Sequence, residues 1–317
     1  MDAATFDLVQ SMLYAQRGLS VRNRFVDLAD PPMRVHVTEV GSGEPLVLIH
    51  GGNSVAMSWL PLLPALASRF RVILPDRPGC GLTGPFDYRG VDLRAHGAAF
   101  VAGLLDGLGL ERAALAANSM GGYFALAFAV EHPERVSRLI LLGEPAGSSE
   151  RAPLFHRLVG TRGLNALLYA TVLRPPGDAV GLRQGWAKGR LVVHPDRVPD
   201  DLAECLAAGA RLPGASRSWR RMVERVFVPA GSGVFARGMR ATRALAPELA
   251  RVSCPTLFLW GSEDPLGAPD VGRGLAERMP DARLVEIPDA GHLPWIDQPD
   301  RCATGILEFL PARPAEV

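Results

Sequence analysis

The sequence predicts an α/β fold: an eight-stranded, mostly parallel sheet with helices on both faces, interrupted by a helical cap. Three observations predict it. Eight strand-like segments recur along the chain with helical stretches between them. The first two alternate polar and apolar residues around the short turn Asp30-Pro31-Pro32, whereas most later ones are apolar throughout, as strands covered on both faces are. A long stretch of different composition, 145–252, separates the sixth strand from the seventh.

Residues 1–20 carry a modest helical period in Phe6, Val9, Leu13 and Gln16-Arg17, so 1–23 is expected to be a helical extension, its packing partner unspecified. Strands at 24–28 and 34–40 form an antiparallel edge hairpin. Strands at 45–50, 71–75, 113–118 and 138–143 follow, with helices at 59–68, 93–108 and 121–132, completing the first half of the core at 144. The stretch 145–252 is too long for a simple crossover and reads as the cap. Within it, Gly231-Ser232-Gly233 is a flexible loop and not a phosphate cradle, since no strand precedes it and no G-K-[ST] follows. The second half of the core, 253–317, holds strands at 256–261 and 283–287 and a helix at 271–279, and its Pro-Ala tail is expected to fray.

The chemistry concentrates at the ends of the later strands. In Leu115-Ala116-Ala117-Asn118-Ser119-Met120-Gly121-Gly122 a serine stands between an apolar run and a Gly-Gly that opens a helix. This is the layout of a nucleophile elbow, a sharp strand-to-helix turn that holds a serine hydroxyl at the top of a sheet. Its usual pattern is G-x-S-x-G; Ala117 replaces the first glycine, keeping the clearance while narrowing the backbone angles. A serine is a poor nucleophile without a base and an orienting acid. The strand at 256–261 runs into Ser262-Glu263-Asp264-Pro265, which leaves Asp264 at its C-terminal end, and the strand at 283–287 is followed by Pro288-Asp289-Ala290-Gly291-His292. Each candidate follows a strand, where open parallel sheets collect their active sites.

Together with Leu48-Ile49-His50-Gly51-Gly52 and Pro75-Asp76-Arg77-Pro78-Gly79-Cys80-Gly81, these motifs make residues 24–310 resemble the α/β-hydrolase-fold enzymes. Eight strands is that family's full count, and Ser119, Asp264, His292 is its triad order. The resemblance implies catalysis without cofactor or metal: Ser119 as nucleophile, His292 as base and Asp264 as its orienting acid. It assigns the oxyanion hole to the backbone N–H groups of Gly52 and Met120, donors each commonly worth about 3 kcal/mol of barrier. Asp76 and Arg77 then belong to a structural turn bordering the site, and His50 supports the glycines after it.

Around this core of assignments, Asn53, Glu144 and Trp295 are candidates for the substrate pocket. Glu144 follows the sixth strand, where some related hydrolases place the triad acid, and stands in reserve to Asp264. Trp295 either walls the pocket or packs the last helix. His36, His96, His132, His156 and His194 are isolated and read as surface or satisfied core residues.

Asn118-Ser119-Met120-Gly121-Gly122 is also similar to the elbow of the meta-cleavage-product hydrolases, which break a C–C bond in vinylogous diketo acids. Two marks of that subfamily are missing: its Gly-Pro-Gly after the His-Gly is Gly52-Asn53-Ser54 here, and the tryptophan after its catalytic histidine is Leu293. A carboxylesterase or lactonase acting on a small-molecule ester or lactone is therefore the leading reading. C–C hydrolysis is the alternative, with a repurposed lyase or cyclase of the same fold behind it. The serine at 119 excludes the aspartate-nucleophile dehalogenases and epoxide hydrolases.

Composition narrows the partners. A net charge of +1 argues against nucleic acid and membrane surfaces, leaving a small-molecule substrate and no bar to a homo-oligomer. Cys80, Cys205, Cys254 and Cys302 are far apart without metal spacing, and the acidic N-terminus resembles neither signal peptide nor anchor, so a cytoplasmic protein with free thiols is expected. Between 151 and 251, 16 Arg and Lys188 stand against seven acids, a net +10. A basic cap would favour an anionic substrate if its arginines faced inward, and would be an ordinary solvated surface if they did not.

Overall fold

A computed structural model describes residues 1–149, 158–161, 163–171, 174–226 and 245–310. His156, Phe227, Gly231-Ser232-Gly233, Arg151, Arg157, Arg162, Arg237, Arg240, Arg243 and the tail after Leu310 lie outside the described residues.

Eight strands form one sheet: β1 (Val21–Leu28), β2 (Met33–Val40), β3 (Glu44–Ile49), β4 (Phe70–Pro75), β5 (Ala113–Asn118), β6 (Val136–Leu142), β7 (Thr256–Gly261) and β8 (Ala282–Ile287). Their spatial order is β1-β2-β4-β3-β5-β6-β7-β8. The β1–β2 and β2–β4 pairs are antiparallel and all others parallel. The predicted edge hairpin and every predicted strand are present. Because the chain goes from β3 outward to β4 and returns to β5 on the other side, the order reverses between β3 and β5, the place where open α/β sheets open a crevice.

Period-two alternation divides the core into two layers. Val47, Ile49, Leu115, Ala117, Leu139, Leu141, Phe258 and Trp260 face one way, beneath the helices α3 (Leu93–Gly107) and α4 (Ser119–Glu131). Leu46, Leu48, Ala116, Ile140, Leu142, Leu257 and Leu259 face the other, with Trp59, Trp295, Cys302 and Ile306 in their layer. α4 is buried from Met120 to Val130 on every side, as its uniformly apolar sequence requires.

One helical expectation is corrected. Residues 59–68 do not form a continuous helix: a 3-10 turn, Ala56–Leu62, is followed by the single α-turn α2 (Leu63–Leu66). Pro61 and Pro64 supply no N–H to an α-helical ladder, so the segment stays tight and short.

Between β6 and β7 the described helices are α5 (Leu164–Thr171), α6 (Ala179–Gly189), α7 (Asp200–Ala210) and α8 (Ala215–Val226). After β7 come α9 (Pro269–Ala276), α10 (Pro294–Asp297) and α11 (Pro299–Phe309). No described helix is long and apolar enough to cross a membrane.

The N-terminal helix α1 (Ala3–Gln16) finds its partner in α7. It buries Phe6, Gln10, Leu13 and Tyr14, a face turned slightly from the one its sequence suggests. Gly209 of α7 leaves room for Phe6, since a Cβ there would stand 3.3 Å from the ring's Cζ. Arg17 pairs with Asp201 at 2.6 Å. Phe6→Ala should therefore lower stability by about 3 kcal/mol or more. Leu8→Ala, on the face where Leu8 is 62% exposed, should change it by less than about 0.5 kcal/mol. Denaturant titration of the two variants measures the difference, and a negligible Phe6 effect would mean that α1 is not part of the cooperative fold.

Candidate active site

Register brings the candidate residues to one edge of the sheet. Ile49 is level with Ala117, Asn118 with Leu142 and Gly261 with Ile287, so the turns after β3, β5, β6, β7 and β8 emerge together. Ser119 stands at the first of the crowded turns with φ of 50°, in the left-handed region that side chains avoid. Asn118 is still extended and Ser119 already begins α4, so the chain reverses between two residues. The turn is held from both sides: Ala146 N–H donates to the Ser119 carbonyl at 2.9 Å, and Asn118 Nδ2 donates to the carbonyls of Leu142 at 2.6 Å and His292 at 3.2 Å. Gly121 has to be glycine, because a Cβ there would overlap the carbonyls ending β3. Ala117 sits in the regular ladder of β5, where alanine is no strain.

Asp264 and His292 meet as the sequence predicts. The imidazole Nδ1 lies 2.9 Å from Asp264 Oδ2, which also accepts from Glu144 N–H at 2.9 Å, while Oδ1 accepts from Leu266 N–H at 2.9 Å. With the carboxylate as acceptor, Nδ1 carries the proton and Nε2 presents its lone pair. Nε2 is buried and has no hydrogen-bond partner, so the bond to the half-buried Ser119 is not closed in this structure. Burial alone would lower the His292 pKa; the charge and hydrogen bond of Asp264 outweigh it and hold the pKa above its ordinary value.

Gly143 is the residue sequence reading missed here. Its φ is 70°, and a Cβ would overlap the His292 carbonyl while standing 3.2 Å from Asn118 Nδ2 and 3.3 Å from Asp264 Oδ2. A glycine immediately after an apolar strand was the available signal.

Glu144 does not reach His292 Nδ1. Its Oε1 accepts from Ser148 N–H at 2.8 Å, Ser148 Oγ at 2.7 Å and Ser149 N–H at 3.2 Å, whereas its buried Oε2 has no partner. Burial, and then the negative charge of Asp264, push its pKa up to about 7. Its carboxyl lies outside the Asp264–His292 hydrogen bond.

The loop after β3 borders Ser119. A Cβ on Gly51 would overlap Asn118 Oδ1 and stand 3.3 Å from Ser119 Cβ, and one on Gly52 would overlap the Trp219 ring of α8. Met120 is buried in the adjoining turn, whereas Asn53 is exposed with φ of 48°. Asp76 accepts from Ala56 N–H at 2.9 Å, Leu82 N–H at 3.0 Å and His36 Nδ1 at 3.0 Å, the structural turn expected of it.

Trp295 requires a correction. It is fully buried, stacks on Trp59 with ring centroids 4.2 Å apart, and donates its indole N–H to the Ser58 carbonyl at 2.7 Å. All of its surface is used in packing, so it walls no pocket. His194, expected to be a surface or satisfied residue, has its Nε2 2.7 Å from Asp289 Oδ2 on the turn leading to His292. That turn carries a strap from the β6–β7 insertion: Leu293 N–H donates to the Leu191 carbonyl at 3.0 Å. Asp297 accepts from Val193, His194 and Gly291 N–H groups, each at 2.9 Å.

Residues 44–299 match the model of the alpha/beta hydrolase fold family. A 2-hydroxy-6-oxo-6-phenylhexa-2,4-dienoate hydrolase from Burkholderia cepacia is 30% identical over 303 residues, covering 92% of this chain and 97% of that protein. Among solved structures, a hydrolase named for the same substrate, from Rhodococcus sp. strain RHA1, superposes with a TM-score of 0.73 at 22% identity over 92% of this chain and 99% of that one. A carboxylesterase from Bacillus subtilis does so with a TM-score of 0.70 at 21% identity, covering 97% of each. With a serine at its elbow and a histidine–carboxylate pair on the same sheet edge, the chain belongs to the α/β-hydrolase fold family.

Proposed function

We propose that this enzyme is a serine hydrolase that cleaves the carbon–carbon bond beside a ketone in a 2-hydroxy-6-oxodienoate-type acid. The observation that carries the serine chemistry is the left-handed Ser119 elbow on the sheet edge that holds the Asp264–His292 pair. The substrate class is supported by the full-length similarity to the Burkholderia enzyme. A compound with that name contains no ester or amide, so its hydrolysis has to break a C–C bond next to the 6-oxo carbon.

In this reading Ser119 Oγ adds to the ketone carbon while His292 Nε2 takes its proton, and Asp264 stabilises the imidazolium. The Gly52 and Met120 N–H groups receive the oxyanion. In the 2-oxo tautomer of the substrate, in which C5 is a CH2, collapse expels C5 with its bonding pair delocalised through the C3–C4 double bond onto the 2-oxo oxygen; His292 returns its proton there, giving a 2-hydroxydienoate, and the acyl group remains on Ser119. Water, deprotonated by His292, then releases the carboxylic acid.

Ester or lactone hydrolysis is the second reading, favoured by Leu293 and Gly52-Asn53-Ser54 where the C–C hydrolases carry other residues. Four of the described arginines of the insertion are already engaged by the protein itself. Arg183 pairs with Asp200, Arg190 with Glu263 and Arg221 with Glu224, while Arg225 donates to the Tyr88 carbonyl.

Screening a vinylogous diketo acid beside its matched ester decides between the readings: kcat/KM for the diketo acid should be higher by about tenfold or more, a difference of about 1.4 kcal/mol in barrier. The reverse ratio would establish the esterase. With either substrate Ser119→Ala should lower kcat by at least about 10³-fold at unchanged melting temperature, and near-wild-type turnover would sink the serine mechanism.

The two carboxyls separate by pH. Asp264→Asn should cost roughly 10⁴-fold in kcat, and Glu144→Gln about tenfold or less. Because the base must be neutral and its pKa lies above 6.5, kcat/KM should rise with pH through a midpoint above that value. The charge of Glu144 also raises the His292 pKa, so Glu144→Gln should move the midpoint to lower pH. A midpoint moving upward would assign the acid limb to another group.

A further inference from the structure

Arg77 is fully buried, and no carboxylate among the described residues forms an ion pair with it. Neighbouring Asp76 is occupied by Ala56, Leu82 and His36. Burying a guanidinium without a countercharge costs several kcal/mol, and an arrangement that costs this much calls for a compensating use.

Its donors converge on the β3 loop. Arg77 Nε donates to the His50 carbonyl at 2.7 Å and Nη2 to the Gly51 carbonyl at 2.5 Å. The other directions lead only to soft, weak partners: Met222 Sδ at 3.6 Å, Cys80 Sγ at 3.9 Å and the Phe124 ring at 5.6 Å. His50 aids the same carbonyl. The backbone N–H of Arg77 can only donate, so His50 Nε2, 3.0 Å away, is the acceptor. The ring proton is then on Nδ1, which donates to the Gly51 carbonyl at 2.9 Å. Burial, with the nearby charge of Arg77, lowers the His50 pKa to about 3, so this tautomer persists across the working pH range.

Both peptides of the loop are trans, and in a trans peptide the C=O and N–H point in opposite directions. Two successive carbonyls fixed on Arg77 leave the N–H groups of Gly51 and Gly52 directed away from it. Gly51 meanwhile lies against Ser119 Cβ, so this loop passes beside the nucleophile.

We infer that Arg77 is the positioning residue of the oxyanion hole, holding the Gly51–Gly52 peptide with its N–H toward the reacting carbonyl and supplying, one peptide away, the countercharge to the oxyanion. The inference rests on the serine reading above. In the ground state the guanidinium polarises the Gly51 carbonyl; its charge is matched only when negative charge develops at Ser119. Its effect should therefore fall on kcat and spare KM.

A fluorophosphonate probe tests this without knowledge of the substrate, because as Ser119 displaces its fluoride the phosphoryl oxygen gains negative charge in the pentacoordinate transition state, and that oxygen sits in the same hole. Arg77→Met removes the charge and keeps much of the volume; Arg77→Lys keeps the charge and loses the fork. With folding verified by circular dichroism, labelling of Arg77→Met should be slower by about 10²-fold or more, comparable to loss of an oxyanion donor, with Arg77→Lys intermediate. On the best substrate KM should stay within about threefold. Equal labelling of Arg77→Met and wild type overturns the inference alone, whereas an inert wild type overturns the serine reading and the inference with it. Should Arg77→Met not fold, the Arg77 Nε–H resonance of the wild type is followed by NMR while an arylboronic acid forms its anionic adduct on Ser119. A shift on adduct formation, absent with a neutral ground-state ligand, supports the coupling, and an unmoved resonance overturns it.

Discussion

The 2.9 Å hydrogen bond between His292 and Asp264 depends on turns from separate strands meeting with no side chain between them. Gly143 fills the space where the His292 carbonyl, the Asn118 amide and the Asp264 carboxylate converge, and Gly261 passes where a Cβ would overlap the Gly291 carbonyl. Parallel pairing sets the level of those turns, and the missing Cβ atoms let them close. Ser119 is held by the same logic. Left-handed backbone at Ser119 costs about 1 kcal/mol or more, and it persists because α4 is buried on all sides and Asn118 bonds to both neighbouring turns.

What was legible in the sequence follows from how local each signal is. The strands at 113–118 and 256–261 coincide with β5 and β7, because uninterrupted apolar runs bounded by turn residues have few other uses. The positions of Ser119 and Asp264 were legible for the same reason, each being tied to the end of such a run, whereas His292 follows the alternating strand Ala282–Ile287 and was found from the Gly291-His292 turn after it. The segment 59–68 was misjudged because apolar composition outweighed the prolines in it. Trp295 was undecided because an indole near a catalytic histidine can serve a pocket or a core, and only its stacking on Trp59 distinguishes them. The binding of α1 to α7 and of the 191–194 strap to Asp297 spans long separations and leaves no local pattern. Arg77 was placed in a turn correctly, but its bonds to a loop some 26 residues earlier could not be read from its neighbours.

In the proposed mechanism charge is distributed along the path the proton takes. At one end Asp264 is hydrogen-bonded to the imidazole that would become positive; at the other, Arg77 is bonded to the Gly51 carbonyl, behind the peptide inferred to face the oxygen that would become negative. Between them His50 is kept neutral by burial, so it adds a hydrogen bond without a second positive charge. Glu144 shows the cost of a second carboxylate nearby, its pKa driven to about 7 by burial and by Asp264, with three donors on one oxygen opposing that rise.

This machinery is indifferent to what leaves. An alkoxide departs from the tetrahedral intermediate with one proton from His292, whereas a carbon departs only if its electron pair is delocalised into the rest of the substrate. Any residue that favours the second outcome must touch the leaving group, on the side away from the oxyanion hole. The β6–β7 insertion approaches the site with Trp219 against Gly52 on one side and the 191–194 strap over the His292 turn on the other. Such a surface has no required spacing in sequence, since its residues must fit a ligand and not a ladder or a helix period. The same fold can therefore serve both esterases and C–C hydrolases and differ in chemistry through residues no motif describes.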